Sequence, residues 1–339
     1  MPGILNFSAE VPQLSPGEVH VWCAPLAPDR NGIASRSTVF CESHSWNLAD
    51  LSEDERERAG RFVSEKDRVR YVATRSILRR LLGAYLNLAP SEIRFSYGAF
   101  GKPELRSHSV DSALAGRCAS HFAPGEMVTG RLAERLRFNL SHAGGWAAYA
   151  ISCDSEVGID IEPVRNDVPW QDLAPLVFSP NERAEFDRIP PCEKTAAFLR
   201  GWTRKEAYVK GRGEGLSLSL NSFDVPLGPL KTPYQVRSGF SSTAVADEWW
   251  LYPIDLAEGC IGTVAAEGRL ARIKVYQLSG AQFGDIQDSP KTESVPGSIA
   301  RSPVQLSSTV VLATRSARNL AACCVGSVWD PTTFSRQDI

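Results

Sequence analysis

The stretch Val157-Gly158-Ile159-Asp160-Ile161-Glu162 sets the frame for the rest of the chain. Side chains alternate between the two faces of a strand. Val157, Ile159 and Ile161 therefore share a core-facing side, and Gly158, Asp160 and Glu162 share the other. Two positions along a strand lie ~7 Å apart at the backbone, and carboxylates that close repel unless a cation sits between them. Oxygen donors of this kind favour magnesium, which keeps waters and completes its shell from substrate phosphates. The plainer reading is an exposed strand edge with two solvated acids, since acidic surface positions are common.

Upstream, Phe138-Asn139-Leu140 and residues 146–151 read as strands joined by a turn at Gly144-Gly145. Phe138-Asn139-Leu140-Ser141-His142 ends in a hydroxyl and an imidazole, which could grip a phosphate or simply close a polar strand end. The chain lacks the G-x-S-x-G elbow of a serine hydrolase here. Downstream, Ser179-Pro180-Asn181-Glu182 is a capping box with proline at the first helical position, and that helix stops at Pro190-Pro191. A longer helix over about 193–210 ends at Gly211 and Gly213. It carries Trp202-Thr203-Arg204-Lys205-Glu206-Ala207-Tyr208-Val209-Lys210, in which Trp202, Glu206 and Lys210 stack along one face. Glu206 and Lys210 are either an ordinary surface pair, worth about 0.3–0.5 kcal/mol, or a metal ligand beside a cation for a leaving phosphate.

Farther out, Val19, Val21 and Cys23 alternate with His20 and Trp22 in an early strand. Ser52-Glu53-Asp54-Glu55 is a second capping box. Leu78, Leu81, Leu82 and Tyr85 lie at helical spacing, with Arg75, Arg79 and Arg80 beside them, and the segment 93–96 reads as a strand. Phe100-Gly101-Lys102-Pro103 is a turn where one lysine could meet a phosphate, or an ordinary exposed turn; it lacks the spacing of a Walker A loop. Residues 106–136 predict a long loop with a short helix near 131–136. Strands are expected over 223–225, 249–254 and 261–265. Beyond about 277 the chain turns rich in Ser, Thr, Gln and Pro and is expected to be a disordered tail, with a short strand near Val310-Val311-Leu312.

Composition bounds the partners. With 43% hydrophobic and 22% charged residues and a formal net charge of −2, the 339-residue chain reads as a soluble globular protein without a long-range pull on nucleic acid or acidic lipid. No apolar run is long enough to span a bilayer, and no secretory signal is seen, so a cytoplasmic protein with neither nucleic-acid nor membrane partners is expected. The eight cysteines form no C-x-x-C pair and read as reduced thiols.

Taken in order, the blocks at 100–103, 138–142, 158–162 and 202–210 resemble the 4′-phosphopantetheinyl transferase superfamily, in its long, two-lobed class. The resemblance covers roughly 15–276 and includes Gly215-Leu216-Ser217-Leu218 after the helix. It implies an α+β fold that is a pseudo-dimer of two similar lobes. Each lobe is an antiparallel sheet packed by a long helix, and the active site lies at their interface. The expected boundaries are 1–135, 136–276 and a tail over 277–339.

The resemblance also implies chemistry. Asp160, Glu162 and Glu206 would hold magnesium, the ion bridging the pyrophosphate of the co-substrate coenzyme A. Glu206, or a metal-bound water it orients, would take the proton of a serine on an apo acyl carrier protein or synthase carrier domain. Lys210 would neutralise the departing adenosine 3′,5′-bisphosphate. Ser141, His142 and Arg58 would hold the 3′-phosphate, with Arg75 a further cation of that kind, Lys102 at the nucleotide and Pro103 near the adenine. A monomer is expected, because one chain carries both lobes. Three features depart from the family pattern: Glu55 where some members carry a lysine, the long stretch 104–137, and the tail. Two other readings stay open, a magnesium-dependent pyrophosphohydrolase and an inactive module that binds coenzyme A or a carrier. The first wants a denser glutamate motif, two within one helical turn, which the helix over about 193–210 does not supply.

Overall fold

A computed structural model of the chain describes residues 11–26, 48–106, 135–236, 248–256, 259–278 and 291–294. Strand β1 (Glu18–Pro25) is buried along its whole length. Its alternation sorts one face from the other, but both faces are covered. Trp22, with Ala24, meets Ile77, Leu81 and Tyr85 of helix α2 (Glu65–Leu86), while Val19, Val21 and Cys23 meet Val157, Ile159 and Ile161. Helix α1 (Glu53–Arg61) precedes α2 and starts on the expected capping box. Glu55 of that box also ion-pairs with Arg79 at 2.6 Å, both side chains almost fully buried. The residue that departs from the family pattern thus anchors α1 to α2.

Strands β2 (Phe95–Tyr97) and β3 (Pro103–Leu105) form a hairpin. Strands β4 (Leu136–Ala143) and β5 (Trp146–Cys153) follow, joined by Gly144 and Gly145 at positive φ. Strand β6 (Val157–Pro163) then opens a second sheet. Helices α3 (Trp170–Val177), α4 (Pro180–Asp187) and α5 (Pro191–Arg212) come next, then β7 (Tyr234–Val236), β8 (Trp249–Ile254), β9 (Cys260–Glu267), β10 (Arg272–Gln277) and β11 (Lys291–Ser294). The second sheet has the order β6-β9-β8-β7 and is antiparallel throughout. The first has the order β11-β10-β1-β5-β4.

The layers run α2, first sheet, second sheet, α5. Val157, Ile159, Ile161 and Val264 face the first sheet, whereas Leu251 and Ala265 on the other face pack on Ala207, Tyr208 and Val209 of α5. The edge strands β4 and β6 meet at the seam, where Asn139 accepts a hydrogen bond from the Ile159 amide at 2.9 Å. Gly158 lets β6 press onto α5: a Cβ there would stand 1.9 Å from the Ala207 carbonyl oxygen.

The expectation that both sheets are antiparallel is corrected. The first sheet is mixed, because β1 and β10 run parallel. The chain returns from the second sheet beside Gly17, with the Ala271 amide donating to its carbonyl, and so runs on in the direction of β1. The boundary expected at 135/136 falls at the start of β4, which pairs with β5 and through it with β1. By sheet membership the change-over comes at 154–156. Residues 291–294 of the expected tail form β11 against β10. Residues 223–225 lie outside any strand. The segment 107–134, which holds most of the expected loop and helix, and the expected strand at 310–312 lie outside the described residues. Helix α3 was hidden by Pro175 in its interior.

Candidate active site

β6 and α5 bring the acids together. Asp160 faces α5 and is 4% exposed, so the solvated-edge reading of this strand is excluded. Its Oδ1 accepts from Lys210 Nζ at 2.7 Å and from the Ser141 hydroxyl at 2.9 Å. Lys210 Nζ also lies 3.3 Å from Ser141 Oγ. Asp160 Oδ2 is buried with no hydrogen-bond partner.

The neighbouring carboxyls show what this packing does electrostatically. Burial raises the Glu162 pKa to about 8, with Asp160 and Glu206 adding to the rise. Burial likewise raises Glu206 to about 7; Asp160 adds to the rise and Lys210 opposes it. Burial raises Asp160 too, against the pull of Lys210. For Lys210 burial acts downward, but Asp160, Glu206 and Glu162 outweigh it and the ammonium is held more firmly than usual. Asp160, Glu162, Glu206 and Lys210 therefore act on one another across the β6–α5 contact. Among the described residues no three His, Cys, Asp or Glu side chains already stand as a metal cage.

β4 serves both sides of the seam because its side chains alternate. Asn139 and Ser141 point to β6, whereas Phe138 and Leu140 join the α2 core. His142 has the parity of that second group. His142 is exposed; the protein packed beside it, then Arg70, Lys210 and Arg75, lower its pKa to about 4. Arg75 is 5% exposed, and its Nη1 is buried without a partner. Arg58 and Arg75 both lie over the Tyr71 ring, at 5.4 and 5.7 Å from its centre.

Two further expected residues lie at the β2–β3 hairpin. Lys102 donates to Glu156 at 2.6 Å and to the Gly211 carbonyl, so its ammonium is committed to protein oxygens. Pro103 is buried at the start of β3. Sequence reasoning missed Arg70. It is five residues from Arg75, so helical periodicity puts the two on different faces, and only the end of β4 brings both to one imidazole. It also missed that Arg204 and Lys205, inside the block at 202–210, hold the fold. Arg204 donates to the Gly228 carbonyl at 2.8 Å, and Lys205 pairs with Glu182 at 2.8 Å.

Comparison with known proteins finds matches along most of the described residues. A family model described as the 4′-phosphopantetheinyl transferase superfamily matches residues 156–262. One described as 4′-phosphopantetheinyl transferase, N-terminal, matches residues 41–154. The 4′-phosphopantetheinyl transferase HetI of Nostoc sp. is 30% identical over 251 residues, covering 74% of this chain and 88% of that protein. A 4′-phosphopantetheinyl transferase of Bacillus subtilis is 29% identical over 180 residues, 53% of this chain and 68% of its own length. The human L-aminoadipate-semialdehyde dehydrogenase-phosphopantetheinyl transferase is 28% identical over 218 residues, 60% of this chain and 63% of its own. Both halves are matched in order and one relative is spanned nearly end to end, so the chain belongs to the 4′-phosphopantetheinyl transferase superfamily.

Proposed function

We infer that this chain transfers the 4′-phosphopantetheine group of coenzyme A to a serine of an apo carrier protein, a holo-[acyl-carrier-protein] synthase activity. The observation that carries the reading is the convergence of Asp160, Glu162, Glu206 and Lys210 where β6 meets α5, in a chain of this family.

The donor set fits magnesium. Three carboxylates supply hard oxygens, and one of those oxygens, Asp160 Oδ2, is buried without a partner. Asp160, Glu162 and Glu206 would hold the ion. When bound, it supplies positive charge to the pyrophosphate oxygens of coenzyme A.

The remaining roles belong to protein groups. Glu206, or a water it orients, accepts the proton of the carrier serine. The serine oxygen forms a bond to the pantetheine-side phosphorus, and the bond from that phosphorus to the bridging oxygen breaks. Adenosine 3′,5′-bisphosphate leaves with its new negative charge facing Lys210. His142, with Arg70, Arg75 and Arg58, would supply basic surroundings for the 3′-phosphate, whereas Ser141, on the other face of β4, donates to Asp160. The finer plan is a pseudo-dimer divided near residue 155: two 22-residue helices, α2 and α5, each cover one sheet. A monomer would hold both halves. No helix among the described residues is long and apolar enough to cross a membrane.

The test is direct. Incubate the protein with an apo carrier protein, coenzyme A and magnesium, and weigh the carrier by mass spectrometry. Gain of one phosphopantetheine group is expected. Hydrolysed coenzyme A with an unchanged carrier would establish a hydrolase instead, and tight binding without chemistry an inactive module.

A further inference from the structure

The turn at Phe100-Gly101-Lys102-Pro103 holds a buried ammonium that the reaction above does not use. Lys102 is 8% exposed. A lysine ammonium has three N–H donors. Here they meet the Glu156 carboxylate at 2.6 Å, the Gly211 carbonyl at 2.5 Å and, more distantly, the Val157 carbonyl at 3.5 Å. None is left over for a phosphate. Glu156 is held in turn by Arg137 at 2.7 Å.

The partners matter more than the number of bonds. Gly211 lies one residue past Lys210, in the last turn of α5, where unpaired carbonyls favour a cation. Gly213 then ends the helix at φ 67°, and a Cβ on it would stand 3.0 Å from the Lys102 side chain. Val157 is the first residue of β6, three before Asp160. One side chain from the β2–β3 hairpin thus holds the end of the helix that bears Glu206 and Lys210 against the start of the strand that bears Asp160.

We propose that Lys102 is a positioning residue for the transfer reaction: it locks the last turn of α5 to the start of β6 and thereby sets Lys210 against Asp160. The assignment rests on the transferase reading, and it replaces nucleotide contact as the role of this lysine.

The experiment is steady-state transfer by the full chain and by Lys102→Met, which keeps the apolar stem and removes the ammonium. The kcat should fall roughly 10- to 100-fold, the size expected when reacting groups shift by about an ångström. The KM for coenzyme A should stay within about threefold, because the lost contact is not to the nucleotide. Added to Lys210→Met, the Lys102→Met change should cost little more, since both act through one turn of helix. A raised KM with kcat preserved would make Lys102 a nucleotide ligand and overturn the proposal. So would a lower melting temperature with kcat and KM both intact, or fully additive losses with Lys210→Met. If Lys102→Met fails to fold, Glu156→Gln weakens the same clamp and must show the same fall in kcat. If the unaltered chain gives no transfer, the function itself fails, an outcome distinct from any variant-specific loss.

Discussion

Two lysines on α5, five residues apart, each meet a buried acid, and the two pairs are finished differently. Lys205 and Glu182 lie 2.8 Å apart with their side chains 0% and 2% exposed. Lys205 spends its other donors on the Leu220 and Phe223 carbonyls at 2.7 and 2.6 Å. Glu182 accepts from the Ser179 amide at 2.7 Å and the Val225 amide at 2.6 Å. Lys210 and Asp160 are equally close, at 2.7 Å, but the lysine side chain is 29% exposed and Asp160 Oδ2 has no partner. A buried polar group left unpaired costs about 1–3 kcal/mol, so a fold does not keep one for stability. The closed pair fastens the loop at 220–225 beneath α5, and the open pair keeps oxygen and charge available to a ligand.

The comparison breaks if the open cluster is structural. Glu206→Gln should lower transfer by about 10²- to 10⁴-fold, the range for removal of a general base. Asp160→Asn should also lose transfer while its melting temperature holds or rises. The sign follows from the pKa: burial raises the Asp160 value, so the ionised form weighs against the fold above the ordinary carboxylate range. Magnesium should raise the melting temperature of the unaltered chain and leave that of Asp160→Asn unchanged. Full transfer in both variants would remove the site. The closed pair predicts the reverse. Lys205→Met strands the Glu182 carboxylate and should cost about 3–5 kcal/mol in urea unfolding. Adding Glu182→Gln should restore part of that loss; no recovery would mean that the pair is not what stabilises this corner.

What the sequence disclosed follows the same line. The period-2 pattern at 157–162 and the helical spacing of Glu206 and Lys210 gave the strand, the helix and the faces that meet, because backbone geometry alone fixes those directions. It set Lys210 on the Glu206 face but gave Lys205 no partner. Both are lysines on one helix, and only the long-range packing of Glu182 against one and Asp160 against the other assigns them. The parallel entry of β10 beside β1 escaped for a related reason: a strand pattern carries no information about a partner some 250 residues away. Lys102 sits in a turn whose local chemistry allows phosphate contact, and the Gly211 carbonyl that takes up its ammonium is distant in sequence.

The smallest expected effect is at His142, and it sharpens the comparison by asking whether the open side of the seam is built for an anion. His142 is exposed, yet the protein beside it and the nearby Arg70, Lys210 and Arg75 lower its imidazole pKa to about 4. Its folded value lies below the ordinary 6.5, so between these pH values the unfolded chain binds a proton that the fold lacks, and the fold weakens slightly as pH falls through that window, an exposed ring being screened by water. A bound phosphate reverses the local charge and should lift the His142 value, with each unit worth about 1.4 kcal/mol. Proton NMR of the ring, titrated with and without adenosine 3′,5′-bisphosphate, reads this directly. His142→Ala should weaken coenzyme A by roughly 10-fold or more, the size of one hydrogen bond to a charged group, and barely affect dephospho-coenzyme A, which lacks the 3′-phosphate. Equal losses for the two ligands, or an imidazole whose titration ignores the bisphosphate, would leave this basic corner without its anion.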